Sequence, residues 1–321
     1  VITILVHRGG RTERAEAVDA AWLDPSSGVV FWVDLEDAST EESAVLRDVF
    51  HFHELAIEDA LSEIQLPKAE GYDGYLYLVV HGIDFEGGRQ HFATHEVDFF
   101  LGPNYLVSLH DSAGRTTPAV REICLRNSRI LGDGAVSLLH RLIDTMVDHY
   151  RPEVDKLEAK LDILETAVLT ADEDTLVRRI LHLKRDIMSL RRVASPQRDI
   201  LARLARREFP MIDVEMAYRF RDVYDHVVRV TDEALMFQDR VTGILEAHLT
   251  TVSNRLNEVM KVLTVIATIF MPLTVLTGMY GMNLALPHLP GGDAAQFWWV
   301  VGIMLAISAV MLWFFRRRGW V

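Results

Sequence analysis

The side chains in this sequence that could do chemistry are oxygen donors arranged for contact with cations. "LTGMYGMNLALP", at 276–287, closes an apolar run on Gly281, Met282 and Asn283. Upstream, Glu246, Thr250, Ser253, Asn257, Met260, Thr264, Ala267, Met271, Thr274, Gly278 and Gly281 recur at steps of three and four, so a helix carries them on one stripe. The stripe is small or neutral-polar. Inside a bilayer such a face either lets helices pack closely or lines a water-filled passage. Asn257 and Glu246 at its far end favour the passage, because a polar ring is useful at a pore mouth and costs stability in a packed seam. A second set is acidic: "LAIEDALSE" puts Glu58 and Asp59 side by side on a helix, which taken alone reads as an exposed acidic pair.

Other chemistry is weakly represented. His51 with His53, and His91 with His95, have spacings that could ligate a metal, but no cysteine accompanies them and they read as solvated or structural. There is no phosphate-binding glycine loop, nucleophile elbow or catalytic triad, and Gly87-Gly88 reads as a hairpin turn. Nothing indicates an enzyme, and no organic cofactor is expected. The net charge of −13 argues against nucleic acid as a partner and suits a protein that handles cations. The single cysteine, Cys124, excludes an intrachain disulfide and fits a reducing compartment.

The stripe belongs to a membrane segment. From Val262 to Gly292, and again from Ala294 to Phe315, there is no Asp, Glu, Lys or Arg. Each run exceeds the roughly 20 residues that cross a bilayer core. Arg255 and Lys261 precede the first span, Arg316, Arg317 and Arg318 follow the second, and the connecting loop has no Lys or Arg. The positive-inside rule therefore predicts cytoplasmic termini and an outer loop at 283–293. "VITILVH" lacks the basic flank and cleavage site of a secretory leader, so none is expected.

Ahead of the spans, residues 1–135 read as a mixed α/β, or α+β, region. "VITILVH", "VVFWVDL", "GYLYLVVHGIDF" and "HEVDFFLGPNYLVSLH" read as strands, the last folded at Gly102-Pro103-Asn104. "STEESAVLRDVFHFHELAIEDALS" reads as a helical stretch with a Ser/Thr cap. Two charge-laced helices follow, the first interrupted at Pro152 and the second running from near Asp172 toward Phe209 with a kink at Pro196. Such a pair forms an antiparallel hairpin. After Pro210 no proline occurs until Pro272, and an apolar seam of Met216, Phe220, Val223, Val227, Val230, Ala234, Phe237, Val241, Leu245, Leu249, Val252, Leu256, Val259, Leu263, Ile266 and Phe270 follows a heptad pattern. A helix of about 70 residues spans roughly 105 Å. It needs neighbours, and identical copies are the simplest supply.

"SNRLNEVMKVLTVIATIFMPLTVLTGMYGMN", "EDALSEIQLPKAE", "LIDTMVDHY" and "RDVYDH", with the two-span ending, resemble the CorA family of divalent-cation channels over nearly the whole chain. The resemblance implies an α+β cytoplasmic domain followed by a long-helix funnel and two transmembrane helices, in a homopentameric membrane channel. It divides the chain into an α/β domain (1–135), a helical hairpin of the funnel (136–209), a stalk helix continuing as the pore-lining span (210–282), the outer loop (283–293), a second span (294–315) and a basic tail (316–321). The expected setting is the cell (inner) membrane, with lipid and divalent cations as partners. The implied cargo is Mg²⁺, with Co²⁺ and Ni²⁺ as lesser substrates. Zinc or cobalt transport on the same scaffold is the rival, and a non-conducting ion sensor a more distant one.

The resemblance also assigns roles. Gly281, Met282 and Asn283 would form the selectivity ring. Mg²⁺ dehydrates reluctantly, so neutral oxygens at a helix C-terminus would hold the hydrated ion and still release it. Thr274, Met271, Ala267, Leu263, Met260 and Asn257 map to pore positions, with Thr274 and Asn257 as hydrated-ion stations and Met271, Leu263 and Met260 as an apolar constriction. Leu263 belongs to the apolar seam, so periodicity leaves open whether it or Thr264 faces the lumen. Glu246 stands where an acidic ring meets the cytoplasm. Asp59 with Asp222, and Glu58 with Asp144, would form regulatory sites between subunits, where bound Mg²⁺ closes the channel. Asp225 and His226 read as structural. His288, where many relatives are acidic, and Gly319, inside the basic tail, depart from the family pattern.

Overall fold

The computed structural model describes residues 1–62, 65–85, 92–112, 114–168, 173–282 and 292–320. The chain forms two compact units, Val1–Ile244 and Leu245–Val321. Asn283, the loop at 283–291, His288, Gly87-Gly88, His91 and Asp172 lie outside the described residues.

The first unit is built on seven strands: β1 (Ile2–Arg8), β2 (Arg11–Ala15), β3 (Val30–Glu36), β4 (Lys68–Tyr72), β5 (Tyr75–Phe85), β6 (Phe92–Leu101) and β7 (Tyr105–His110). Their order is β2-β1-β3-β7-β6-β5-β4, antiparallel except for the β3–β7 pair. Alternation of side chains along the strands feeds two cores. Leu5, Trp32, Leu78, Val80, Phe99 and Leu106 face one core, and Val6, Phe31, Val33, Tyr77, Val79 and Phe100 the other.

The second of these cores is closed by two helices, α1 (Thr40–Asp48) and α2 (Glu54–Leu61), where the sequence suggests one stretch. Ser39 opens α1 with a capping box to Glu42, as its residue type predicts. The break falls between them because Phe50 and Phe52 turn into the core, Phe52 stacking on Phe100 at 4.3 Å, while His51 takes a positive φ of 53°. Packing of two aromatics outweighs helix continuity here. The edge strands β2 and β4 are also not evident from the residues alone.

The other face carries α3 (Thr116–Arg126), α4 (Arg129–Gly132) and α5 (Ala135–Asp148). They are followed by α6 (Tyr150–Ala167), α7 (Glu173–Ala205) and α8 (Val214–Tyr280). The interruption expected at Pro152 falls at His149, and Pro152 sits in the first turn of α6, where its missing N–H costs nothing. Pro196 lies within α7. The 67 residues of α8 rise about 100 Å. From Met216 to Val241 its apolar seam is buried; from Leu249 onward Leu249, Leu256, Val259, Leu263 and Phe270 are exposed in the single chain.

The second unit contains the rest of α8 and α9 (Gly292–Arg317). Both helices are long and apolar enough to cross a membrane, and their apolar windows are almost entirely unburied. Aromatic residues mark both ends of α9: Phe297, Trp298 and Trp299 at one, Trp313, Phe314 and Trp320 at the other, as at the two faces of a bilayer. At the second end Arg317 lies 5.5 Å from the Trp313 ring and Arg318 5.6 Å from Phe314.

Candidate cation pathway and carboxylates

Within the second unit, α8 has two distinct sides. Val265 is buried, and Thr268, Ile269, Pro272, Leu273, Leu276 and Tyr280 are part-buried. Thr268, Pro272 and Leu276 border a groove with Met311 of α9. Asn257, Met260, Leu263, Thr264, Thr274 and Gly278 lie off that side and are exposed. Ala267 and Met271 are exposed too, although both border the groove. Leu263 and Thr264 are equally open, so a single chain does not choose between them.

The hydroxyls on this helix share one geometry. Thr250 donates to the Glu246 carbonyl at 2.9 Å, Thr264 to Met260 at 2.7 Å and Thr274 to Phe270 at 2.9 Å. Each proton is used on the preceding turn, so each oxygen presents lone pairs outward. Such oxygens accept from the waters around a cation. Glu246, exposed, is the charged residue at the start of the stripe.

Either Gly281 or Asn283 could end this helix in the left-handed conformation by residue type, and Asn283 lies outside the described residues. Gly281 does not take a positive φ. Its N–H donates to the Thr277 carbonyl at 2.8 Å, and a Cβ there would stand 3.1 Å from that same oxygen. A side chain at Gly281 would thus ask the Thr277 carbonyl to give by a few tenths of an ångström. Met282 is exposed. The Met279 carbonyl accepts from the Met282 N–H at 3.3 Å, and the last carbonyls of α8 carry the negative end of the dipole.

Comparison with known proteins gives the family of the chain. Residues 27–317 match the family described as CorA-like Mg2+ transporter protein. The chain belongs to the CorA-like family. It is 35% identical over 280 residues to the cobalt/magnesium transport protein CorA of Thermotoga maritima, covering 85% of this chain and 78% of that one. It is 34% identical over 309 residues to YfjQ of Bacillus subtilis, covering 96% and 92%. The solved CorA magnesium transporter of Methanocaldococcus jannaschii superposes with a TM-score of 0.85 at 21% identity, over 100% of this chain and 99% of that one, and so shares its fold. The family consists of divalent-cation transporters, not enzymes, and this CorA-family chain is a membrane protein.

The acidic residues named in the CorA-like chain lie on three helices, α2, α5 and α8. Glu58 and Asp59 both lie on α2, Glu58 exposed and Asp59 half-buried. Asp59 forms an ion pair with Lys68 of β4, and Lys68 also lies 3.9 Å from Glu70. Asp59 is thus already compensated within its own chain. Lys68 is present in the "EDALSEIQLPKAE" segment, but its role follows from the strand that brings it back beside α2. Asp144 of α5 is half-buried, and its carboxyl is pushed up by burial and by the neighbouring charges of Asp148 and Asp222, against the pull of His140 and Arg141. Asp144 and Asp222 are therefore electrostatic neighbours in one chain. His226 lines a crevice with Asp148, Arg151 and Arg229, and Asp225 is exposed.

Among the described residues no three His, Cys, Asp or Glu side chains converge as a metal-ion cluster. His51 and His53 serve backbone roles: His51 contacts the Arg47 carbonyl at 2.9 Å, and His53 accepts from the Leu55 N–H as the cap of α2.

Proposed function

We propose that this chain forms a gated channel that admits Mg²⁺, and also Co²⁺ and Ni²⁺, as a homopentamer in the cell membrane with both termini in the cytoplasm. The observation that carries the reading is the exposed stripe on α8, uncharged beyond Glu246, whose threonine protons are all used on the preceding helical turn. Repeated around an axis, it presents rings of acceptor oxygens at Thr274 and Asn257. Met271, Leu263 and Met260 narrow the path between them and close it by dewetting. The exposed seam residues Leu249, Leu256, Val259 and Phe270 are apolar surface that further copies would cover.

Gly281, Met282 and Asn283 form the outer ring. Its oxygens hold the ion through its water shell, since Mg²⁺ gives up that shell reluctantly. Glu246 gathers cations at the inner mouth through its field. Closure comes from cytoplasmic Mg²⁺ held between subunits by Asp59 with Asp222 and by Glu58 with Asp144. The raised Asp144 carboxyl supports this, because a cation there relieves existing repulsion. Loss of the ion loosens the interface and favours the open state.

The test is flux into proteoliposomes holding the purified protein, with Mg²⁺, Co²⁺, Ni²⁺ and Zn²⁺ offered separately, with and without a pH gradient. Potential-driven Mg²⁺ entry that declines as internal Mg²⁺ rises is the expected result. Proton-coupled Zn²⁺ entry without Mg²⁺ entry would replace the cargo, and absence of any flux would leave a sensor.

A further inference from the structure

A cavity of about 250 Å³ opens in the first unit between β5, β6, the start of α3 and the joint between α5 and α6. It shares no residue with the α8 stripe or the regulatory carboxylates. Two of its polar atoms are orphaned. Glu153, 7% exposed, accepts from Lys156 Nζ at 2.7 Å through Oε1, while its Oε2 is buried with no partner. His95 Nε2 is likewise buried and unpartnered, its Nδ1 lying 3.7 Å from Asp111 Oδ1. A buried carboxylate oxygen without a donor is costly, so Glu153 Oε2 calls for a ligand that brings N–H or O–H groups, and His95 Nε2 accepts one in the tautomer that carries its proton on Nδ1, toward Asp111. One water would need only about 10–15 Å³, far less than this space.

The opposite wall has the other polarity. Helix α3 begins at the cavity with Thr116 and Thr117, and no side chain caps it. Its first N–H groups and positive dipole end attract an anion. Arg115 and Lys156 line the same cavity and add positive charge. Between the walls the floor is apolar, with Val97 and Met146.

Gly82 completes the case. It sits inside β5 opposite His95, at an ordinary φ, and a Cβ there would meet only Met146 Cε at 3.6 Å and the His95 carbonyl at 4.0 Å. The protein's own packing does not require glycine at this position. A glycine within a strand is expected where a ligand comes close to the backbone.

We propose that this cavity is a binding site for a small zwitterion of the amino-acid class. The ligand's ammonium donates to Glu153 Oε2 and to His95 Nε2, and its carboxylate lies at the start of α3. Because His149 separates α5 from α6, such a ligand would tie the start of α6 to the sheet.

Ligand-observed NMR on the full-length protein in detergent tests this, using the standard α-amino acids and γ-aminobutyrate as probes. Acetate, ethylamine and inorganic phosphate serve as half-ligands. Saturable binding of at least one zwitterion is expected, with each half-ligand much weaker. Glu153→Gln, which keeps shape and removes the charge, should weaken it about tenfold or more. Gly82→Val, which fills the cavity from the strand side, should abolish it while the melting temperature and Mg²⁺ flux stay near wild type. Binding of no zwitterion, phosphate binding as tight as any zwitterion, or binding indifferent to both substitutions would each overturn the proposal.

Discussion

Thr274 Oγ1 donates to the Phe270 carbonyl at 2.9 Å, one turn back along α8. The bond fixes the rotamer and uses the only proton, so the threonine behaves as a pure acceptor. Thr274→Val keeps the shape and deletes the oxygen. If Thr274 is a station for hydrated Mg²⁺, uptake should fall about fivefold or more, the worth of roughly one hydrogen bond. Thr274→Ser, which restores the oxygen, should recover most of it. Radiotracer-free uptake with an Mg²⁺-sensitive dye in proteoliposomes reads both.

Gly281 tests the outer ring by geometry. A methyl group there would sit 3.1 Å from the Thr277 carbonyl to which the Gly281 N–H is bonded. The Thr277 carbonyl would have to give by a few tenths of an ångström, which disturbs the last turn of α8 where the proposed ring begins. Gly281→Ala and Asn283→Ala are each expected to abolish Mg²⁺ uptake while the oligomer still elutes at the wild-type size. Full uptake by either variant would remove the ring from the mechanism.

The carboxylates give opposite expectations for stability and for regulation. Asp144 is raised by burial and by the charges of Asp148 and Asp222, so its ionised form is under repulsion without a cation. Asp144→Asn should raise the melting temperature in EDTA and shrink the further rise produced by Mg²⁺. Asp222→Asn should raise the internal Mg²⁺ that half-closes the channel by about tenfold, as expected for removing one charge beside a divalent ion. Thermal shift with and without Mg²⁺, beside flux at graded internal Mg²⁺, measures both.

What the residues revealed in advance divides along physical lines. The two spans were legible because the absence of charge from Val262 to Gly292 and from Ala294 to Phe315 is a long, unambiguous signal. Ser39 announced the start of α1 through its capping box. The seam on α8 was legible as a period, but not its change from buried at Val241 to exposed at Leu249. The break at His51 was hidden, since Phe50 and Phe52 fit a helical pattern until the sheet offers Phe100 as a partner. β2, "RTERA", has no apolar alternation because it is an edge strand. The Lys68–Asp59 ion pair depends on β4, a short strand containing Gly71, and was invisible for that reason. The carboxylates were individually legible, whereas the closeness of Asp144 and Asp222 depends on how α5 and α8 pack.

A buried ion network on the sheet makes the last prediction. His110 Nε2 lies 3.1 Å from Asp34 Oδ1, and its Nδ1 lies 2.6 Å from the Asp111 carbonyl. Both partners are acceptors, so the ring satisfies them by carrying two protons. Burial pulls the His110 value down, but the hydrogen bond and charge of Asp34 outweigh it and the net direction is up. Asp34 is also held by Arg121 at 3.0 Å and by Ser108 at 2.6 Å. A histidine raised in the folded state binds its proton more tightly there than in the unfolded chain. Its contribution is therefore complete below the unfolded value of about 6.5 and is lost as pH rises through the folded value. The melting-temperature gap between wild type and His110→Gln should be widest near pH 6 or below and should close at alkaline pH. Asp34→Asn should cost about 3–5 kcal/mol, because it leaves the charge of His110 in the interior without its carboxylate and removes one of the two carboxylates paired with Arg121. Denaturation scans across pH on the three proteins decide it, and a gap that widens with rising pH would mean that His110 is neutral in the fold.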